Sequence, residues 1–122
     1  MNTISYWNDS AVLPRFPKPS RDVTVDVIVV GGGITGITAA YLCKRAGLKV
    51  ALLERERCAR IDTGHTTAHL TCVTDERLHD LVKNFGEPAA KAVWDAGAAA
   101  LDQIANLIRV EGIACDFKWV PG

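Results

Sequence analysis

Val25, Val27, Ile28, Val29 and Val30 make an apolar β-branched run around the single acid Asp26, and it stops abruptly at Gly31, Gly32 and Gly33, with Gly36 three residues further on. So uniformly apolar a run suits a parallel strand covered on both faces better than a half-exposed one. Ile34 to Ala46 then reads as a helix, Gly47 takes the C′ position that ends it, and Lys49 to Glu54 reads as a second strand closing on an acid. Strand, G-x-G-x-x-G turn, helix, strand and terminal acid follow the order in which a βαβ unit binds a dinucleotide.

Each part has a physical task in that reading. Gly31 turns the chain from strand into helix. Gly33 lacks a Cβ, so a pyrophosphate can approach the backbone, and Gly36 lets the helix lie close to the strand. Amides from Gly31 through Gly32, Gly33, Ile34, Thr35 and Gly36 are candidate phosphate contacts, because a helix start offers free N–H groups and a positive dipole end. Glu54 is the candidate acceptor for both hydroxyls of an adenosine ribose. A carboxylate there repels a 2′-phosphate and so disfavours NADP. Arg55 and Arg57 lie beside it in a loop, with Arg55 a further cofactor-contact candidate.

The chain has 122 residues and a formal net charge of zero, which allows one small domain and gives no sign of a nucleic-acid partner. A doubly wound nucleotide domain usually needs more chain, and the strand-like segment Cys115 to Val120 before Pro121 and Gly122 lacks a neighbour. A fragment is therefore expected. Cys43, Cys58, Cys72 and Cys115 have no C-x-x-C spacing, so neither a metal site nor a disulfide framework is expected, and Cys43 reads as a small buried hydrophobe. No apolar run has membrane-spanning length and no signal pattern precedes the first strand, so a cytoplasmic, reduced protein is expected.

Met1 to Asp22, with Pro14, Pro17 and Pro19, reads as an irregular arm without helix or strand, whose Tyr6 and Trp7 pack on the protein body rather than on ligand. Residues 23–122 form the expected domain portion. After Glu54 comes a long loop containing Thr63, Gly64, His65, Thr66, Thr67 and Ala68, with a short helical turn near Thr66. Its hydroxyls and amides can complete a phosphate cradle, or it can be a plain surface loop. Thr74-Asp75-Glu76 is the expected start of a helix with Leu78, Leu81, Val82 and Phe85 as its stripe, stopped at Gly86. Pro88 opens a longer helix to about Glu111, with Val93, Trp94, Gly97, Leu101, Ile104 and Ile108 on a core-facing stripe. His79 falls on a polar face. A loop and two consecutive helices after the acid, in place of a prompt third strand, point to flavoprotein organisation rather than to an NAD domain.

Gly31-x-Gly33-x-x-Gly36-x-x-x-Ala40, followed by Gly47, Val50 and Glu54, resembles the extended fingerprint of FAD-dependent oxidoreductases of the D-amino-acid oxidase/glycine oxidase type, with Cys43 where leucine is frequent. The arm with Tyr6-Trp7 and Phe16-Pro17, the stretch Thr63 to Ala68, and Asp116-Phe117 before Pro121 are similar to a bacterial branch often fused to a C-terminal Rieske [2Fe–2S] domain. The resemblance covers the N-terminal part of such proteins. It implies an α/β fold, a Rossmann-like βαβ FAD-binding domain with inserted helices. It also implies FAD held by the glycine turn, Glu54 and the Thr63 to Ala68 loop, and oxidation of an amine or amino acid C–N bond by hydride transfer to flavin. Some relatives attach FAD covalently through a histidine, a role for which His65 and His69 do not match cleanly. No catalytic residue is assignable. An NAD-linked dehydrogenase and a non-catalytic nucleotide-binding fragment remain the alternatives.

Overall fold

The structure is a computed structural model that describes residues 3–120, which fall into two compact units divided between Thr67 and Ala68. The first unit contains α1 (Tyr6–Ser10), β1 (Val27–Val30), α2 (Ile34–Arg45), β2 (Val50–Leu53) and a single 3-10 turn, Asp62–His65. β1 and β2 pair in parallel with Val27 opposite Val50 and Val30 opposite Leu53, and α2 packs on both strands. This is a mixed α/β arrangement around a two-stranded parallel sheet. Gly47 (φ 88°) and Leu48 donate back to the carbonyls of Lys44 and Cys43, the paired bonds that close a helix and reverse the chain into the next strand. At the edge of β1, the Asp26 carboxylate accepts the Lys49 amide at 2.8 Å and holds the start of the pairing in register.

Several expectations need correction. β1 is not covered on both faces: Ile28 is 61% and Val30 83% exposed, because α2 covers only the face that carries Val27 and Val29. The arm is not wholly irregular, since Tyr6–Ser10 forms one helical turn. Its start is capped by Ser5, whose hydroxyl accepts from the Asn8 amide, a local bond that outweighs the proline-rich context. Cys43 is half-buried in α2 rather than enclosed.

The second unit contains α3 (Leu78–Phe85) and α4 (Glu87–Glu111), which pack together. Leu81 and Ala90 are its buried apolar residues, while Phe85 is 66% exposed and Val93 and Trp94 also reach solvent, so their stripes are only partly enclosed. Gly86 ends α3 by donating to Val82 O, Pro88 lies in the first turn of α4, and Gly112 closes α4. The helix expected from Thr74 begins instead at Leu78. The Thr74 hydroxyl donates to the Glu76 carbonyl and so does not cap a helix. Cys115 to Val120 is irregular rather than a strand, with Phe117 and Trp119 edge-to-face at 5.4 Å and no strand beside it among the described residues. Pro121 and Gly122 lie outside the described residues. His79 is exposed, as expected, and faces the Asp80 carboxylate.

Candidate functional site

The glycine turn is built by two constraints on the chain. Gly31 has φ 104°, a conformation costly to any residue with a Cβ, and its amide donates to Leu53 O at 2.8 Å, extending the strand pairing into the turn. A Cβ on Gly36 would lie 1.9 Å from the Gly31 carbonyl oxygen, so the first turn of α2 sits directly against the loop it follows. Gly33 is the N-cap residue and has no side chain to offer. Thr63 supplies that function from 29 residues away: its hydroxyl accepts the Ile34 amide at 3.1 Å. The amides of Gly33, Thr35 and Gly36 donate to no acceptor among the described residues.

Glu54 stands at the end of β2 and closes the turn from the side. Its Oε2 accepts the Gly32 amide at 2.7 Å and its Oε1 accepts the Glu56 amide at 2.8 Å. The Glu56 and Gly32 amides, in that order of effect, hold the carboxyl below its ordinary value of 4.5 against an opposing desolvation, with Arg55 adding a smaller attraction. The group is therefore a carboxylate at neutral pH. Each oxygen keeps a further lone pair, so Glu54 can hold the turn and still accept from a ligand hydroxyl.

A cleft of about 160 Å³ opens here, lined by Gly31, Gly32, Gly33, Glu54 and Thr63 from the expected set. Arg57, Ala59, Arg60, Ile61 and Asp62 line it as well. Unpaired amides, a helix N-terminus and two arginines fit an anionic diphosphate group. Gly33 offers it open approach, since a Cβ there would meet only the Thr63 hydroxyl, at 3.5 Å.

The other expected residues fall around this cleft rather than in its lining. Thr35 is exposed on the first turn of α2, and Arg55 is exposed beside Glu54. Gly64 is buried under Ser5 and Asn8 of the arm. His65 Nδ1 lies 2.7 Å from Ile61 O and donates to it, Thr66 O accepts the Trp7 indole N–H at 2.7 Å, and Thr67 ends the first unit. Ala68 begins the second unit with φ 56°. The sequence reading missed Arg57, Arg60 and the arm residues Ser5 and Asn8. The two arginines carried a signal, positive charge within six residues of Glu54, whereas Ser5 and Asn8 carried none, because the residue they cover, Gly64, lies far along the chain. No cluster of metal-ligating side chains occurs among the described residues.

The sequence profile of the DAO family, described as FAD-dependent oxidoreductase, matches residues 26–122. A Bacillus subtilis protein named as a Rieske 2Fe-2S iron-sulfur protein (YhfW) is 35% identical over 113 residues, covering 93% of this chain and 22% of the relative. A Haemophilus influenzae protein named as an oxidoreductase (OrdL) is 30% identical over 93% of this chain and 27% of its own length. The gamma-glutamylputrescine oxidoreductase of Escherichia coli is 29% identical over 99% of this chain and 28% of its own length. The chain thus spans about a quarter of the length of these curated relatives. No solved structure matches significantly.

Proposed function

The chain belongs to the DAO family of FAD-dependent oxidoreductases, and from that premise we propose that its first unit holds the adenosine diphosphate half of FAD. In this reading the amides of Gly33, Thr35 and Gly36 receive the pyrophosphate, with Thr63 donating its hydroxyl proton to it while still accepting from Ile34. Glu54 accepts from the adenosine ribose. Gly31, Gly32 and Ile34 set the backbone of the cradle, Arg55 flanks Glu54, and residues 64–68 continue the loop toward the rest of the cofactor. Arg57 and Arg60 add positive charge along the same cleft. The single observation that carries this reading is the row of unpaired amides opening beside Gly33.

Bound FAD supplies the hydride acceptor, and the residues of this chain bind and orient it. We assign residues 23–122 to the N-terminal part of a longer FAD-binding oxidoreductase domain, preceded by the arm 1–22. The substrate class we propose is a small amine or amino acid oxidised at its C–N bond, in support of which one relative is named for gamma-glutamylputrescine. A downstream Rieske [2Fe–2S] domain is a proposed companion in the longer protein, supported by the name of the B. subtilis relative. Among the described residues no helix is long and apolar enough to cross a membrane.

The test is FAD titration of the full-length apoprotein, the longer protein that carries this chain, wild type against Gly33→Val. The valine side chain fills the space assigned to the pyrophosphate, so flavin retention is lost. Equal flavin content in the two proteins overturns the assignment.

A further inference from the structure

Among the described residues, three hydrogen bonds tie the N-terminal arm to one short stretch of chain, residues 57–66, which is the loop that walls the cleft. The Ser5 hydroxyl donates to Gly64 O, and the Asn8 side chain covers the same residue, so that a Cβ on Gly64 would lie 3.3 Å from Asn8 Oδ1. The Trp7 indole donates to Thr66 O at 2.7 Å, and the Arg57 guanidinium donates to Leu13 O at 2.7 Å. These contacts bridge 44 to 59 residues, so they fix the loop in a way its own sequence cannot.

The loop needs that help. Its other anchors to the glycine turn are the Ala59 amide on Gly32 O at 2.7 Å and the Thr63 hydroxyl beneath the Ile34 amide. Ala59 holds φ 57°, an unfavourable conformation for a residue with a Cβ, which persists only where surrounding contacts impose it. Thr63 immediately precedes the strapped Gly64, and Arg57 reaches the cleft from the other end of the loop with its Nε buried and unpartnered among the described residues. The arm therefore grips both ends of the segment that presents Thr63 and Arg57 to the cleft.

We propose that Ser5–Leu13 is a positioning strap for the cofactor loop, with Ser5 and Trp7 as positioning residues that preorganise Thr63 and Arg57 for the FAD diphosphate. The inference rests on the reading of the cleft as the FAD site. Without the strap, the loop samples other conformations, and FAD affinity falls in proportion to the lost fraction of competent loop.

The experiment uses the full-length protein that carries this chain, as apoprotein, titrated with FAD, in wild type and in Ser5→Ala, Trp7→Phe, the double variant and Ser5→Thr. Each single loss of a donor weakens FAD binding about 3-fold and the double loss about 10-fold, the scale set by the net worth of a hydrogen bond. Ser5→Thr, which keeps the donor, binds as wild type. Amide exchange of the apoprotein accelerates across residues 57–66 and at Ile34 in the double variant, while the β1–β2 amides keep wild-type protection. A double variant that binds FAD as tightly as wild type overturns the strap alone. So does an affinity loss that Ser5→Thr shares, or unchanged loop exchange. A wild-type apoprotein that does not bind FAD overturns the cofactor site itself and the strap with it.

Discussion

Gly36→Ala tests the geometry of the glycine turn most directly. The added Cβ would lie 1.9 Å from Gly31 O, 3.1 Å from Gly31 C and 3.3 Å from Val29 Cγ1, and must retreat by about 1.1 Å to reach even a 3.0 Å contact. The nearest obstacle is backbone, and that backbone is pinned by the Gly31 amide on Leu53 O and the Gly32 amide on Glu54. Neither side can give without breaking one of these bonds or lifting α2 from the strands. Overpacking of this kind costs about 1–3 kcal/mol. The helix preference of alanine over glycine returns at most about 1 kcal/mol, and less in a first turn. A net loss of about 2 kcal/mol lowers the unfolding midpoint of a chain this size by roughly 8 °C. The assay is thermal unfolding of the apoprotein followed by far-UV circular dichroism, with Gly33→Ala as the internal control. That control places its Cβ at an ordinary 3.5 Å from the Thr63 hydroxyl. Its apoprotein stability stays within about 0.5 kcal/mol of wild type, while its FAD affinity falls about 100-fold, or ~2.7 kcal/mol. A Gly36→Ala protein that unfolds at the wild-type temperature refutes the claim of a rigid close approach.

Glu54 has a native pKa below its ordinary 4.5, so its carboxylate stabilises the turn above that value, and the contribution disappears as pH falls from 4.5 through the native pKa. Glu54→Gln is therefore expected to flatten the acid limb of the stability profile. Denaturant titrations between neutral pH and pH values below 4.5 measure this, and an unchanged limb contradicts it. In α4, Gly97 faces Cys72 so closely that a Cβ would lie 3.2 Å from the Cys72 Cβ. Gly97→Leu should cost about 1–3 kcal/mol in chemical unfolding, and a neutral result would mean that the segment around Cys72 yields freely. The exposed Lys91–Asp95 pair on the same helix contributes little, so Lys91→Ala should stay within about 0.5 kcal/mol of wild type in the same assay.

Legibility in the sequence followed the range of the interactions. The β1–α2–β2 unit was readable because each of its signals is local: a β-branched run, glycines at fixed offsets, and Gly47 at the helix end. The long helix of the second unit was readable for the same reason, from Pro88 at its start to Gly112 at its end. The helix start at Thr74 misled because a capping residue specifies a helix only if its hydroxyl turns to the amides, and here it donates to Glu76 O instead. The strand expected from Cys115 to Val120 failed because strand pattern without a pairing partner does not make a strand. Within the arm, the turn Tyr6–Ser10 was missed because a capping bond at Ser5 and contacts some 59 residues away outweighed local proline content.

The sequence by itself determined that a glycine turn joins a parallel strand to a helix, and that an acid follows at the end of the next strand. Those features act over a few residues, where backbone sterics leave little choice. Only the tertiary structure decided what surrounds the turn. Thr63 caps a helix that has no cap of its own, Glu54 spends one oxygen on Gly32 and the other on Glu56, and the arm straps the loop that presents Arg57. Hydrogen bonds between distant residues leave no periodicity in a sequence, because their geometry exists only once the chain has folded back on itself.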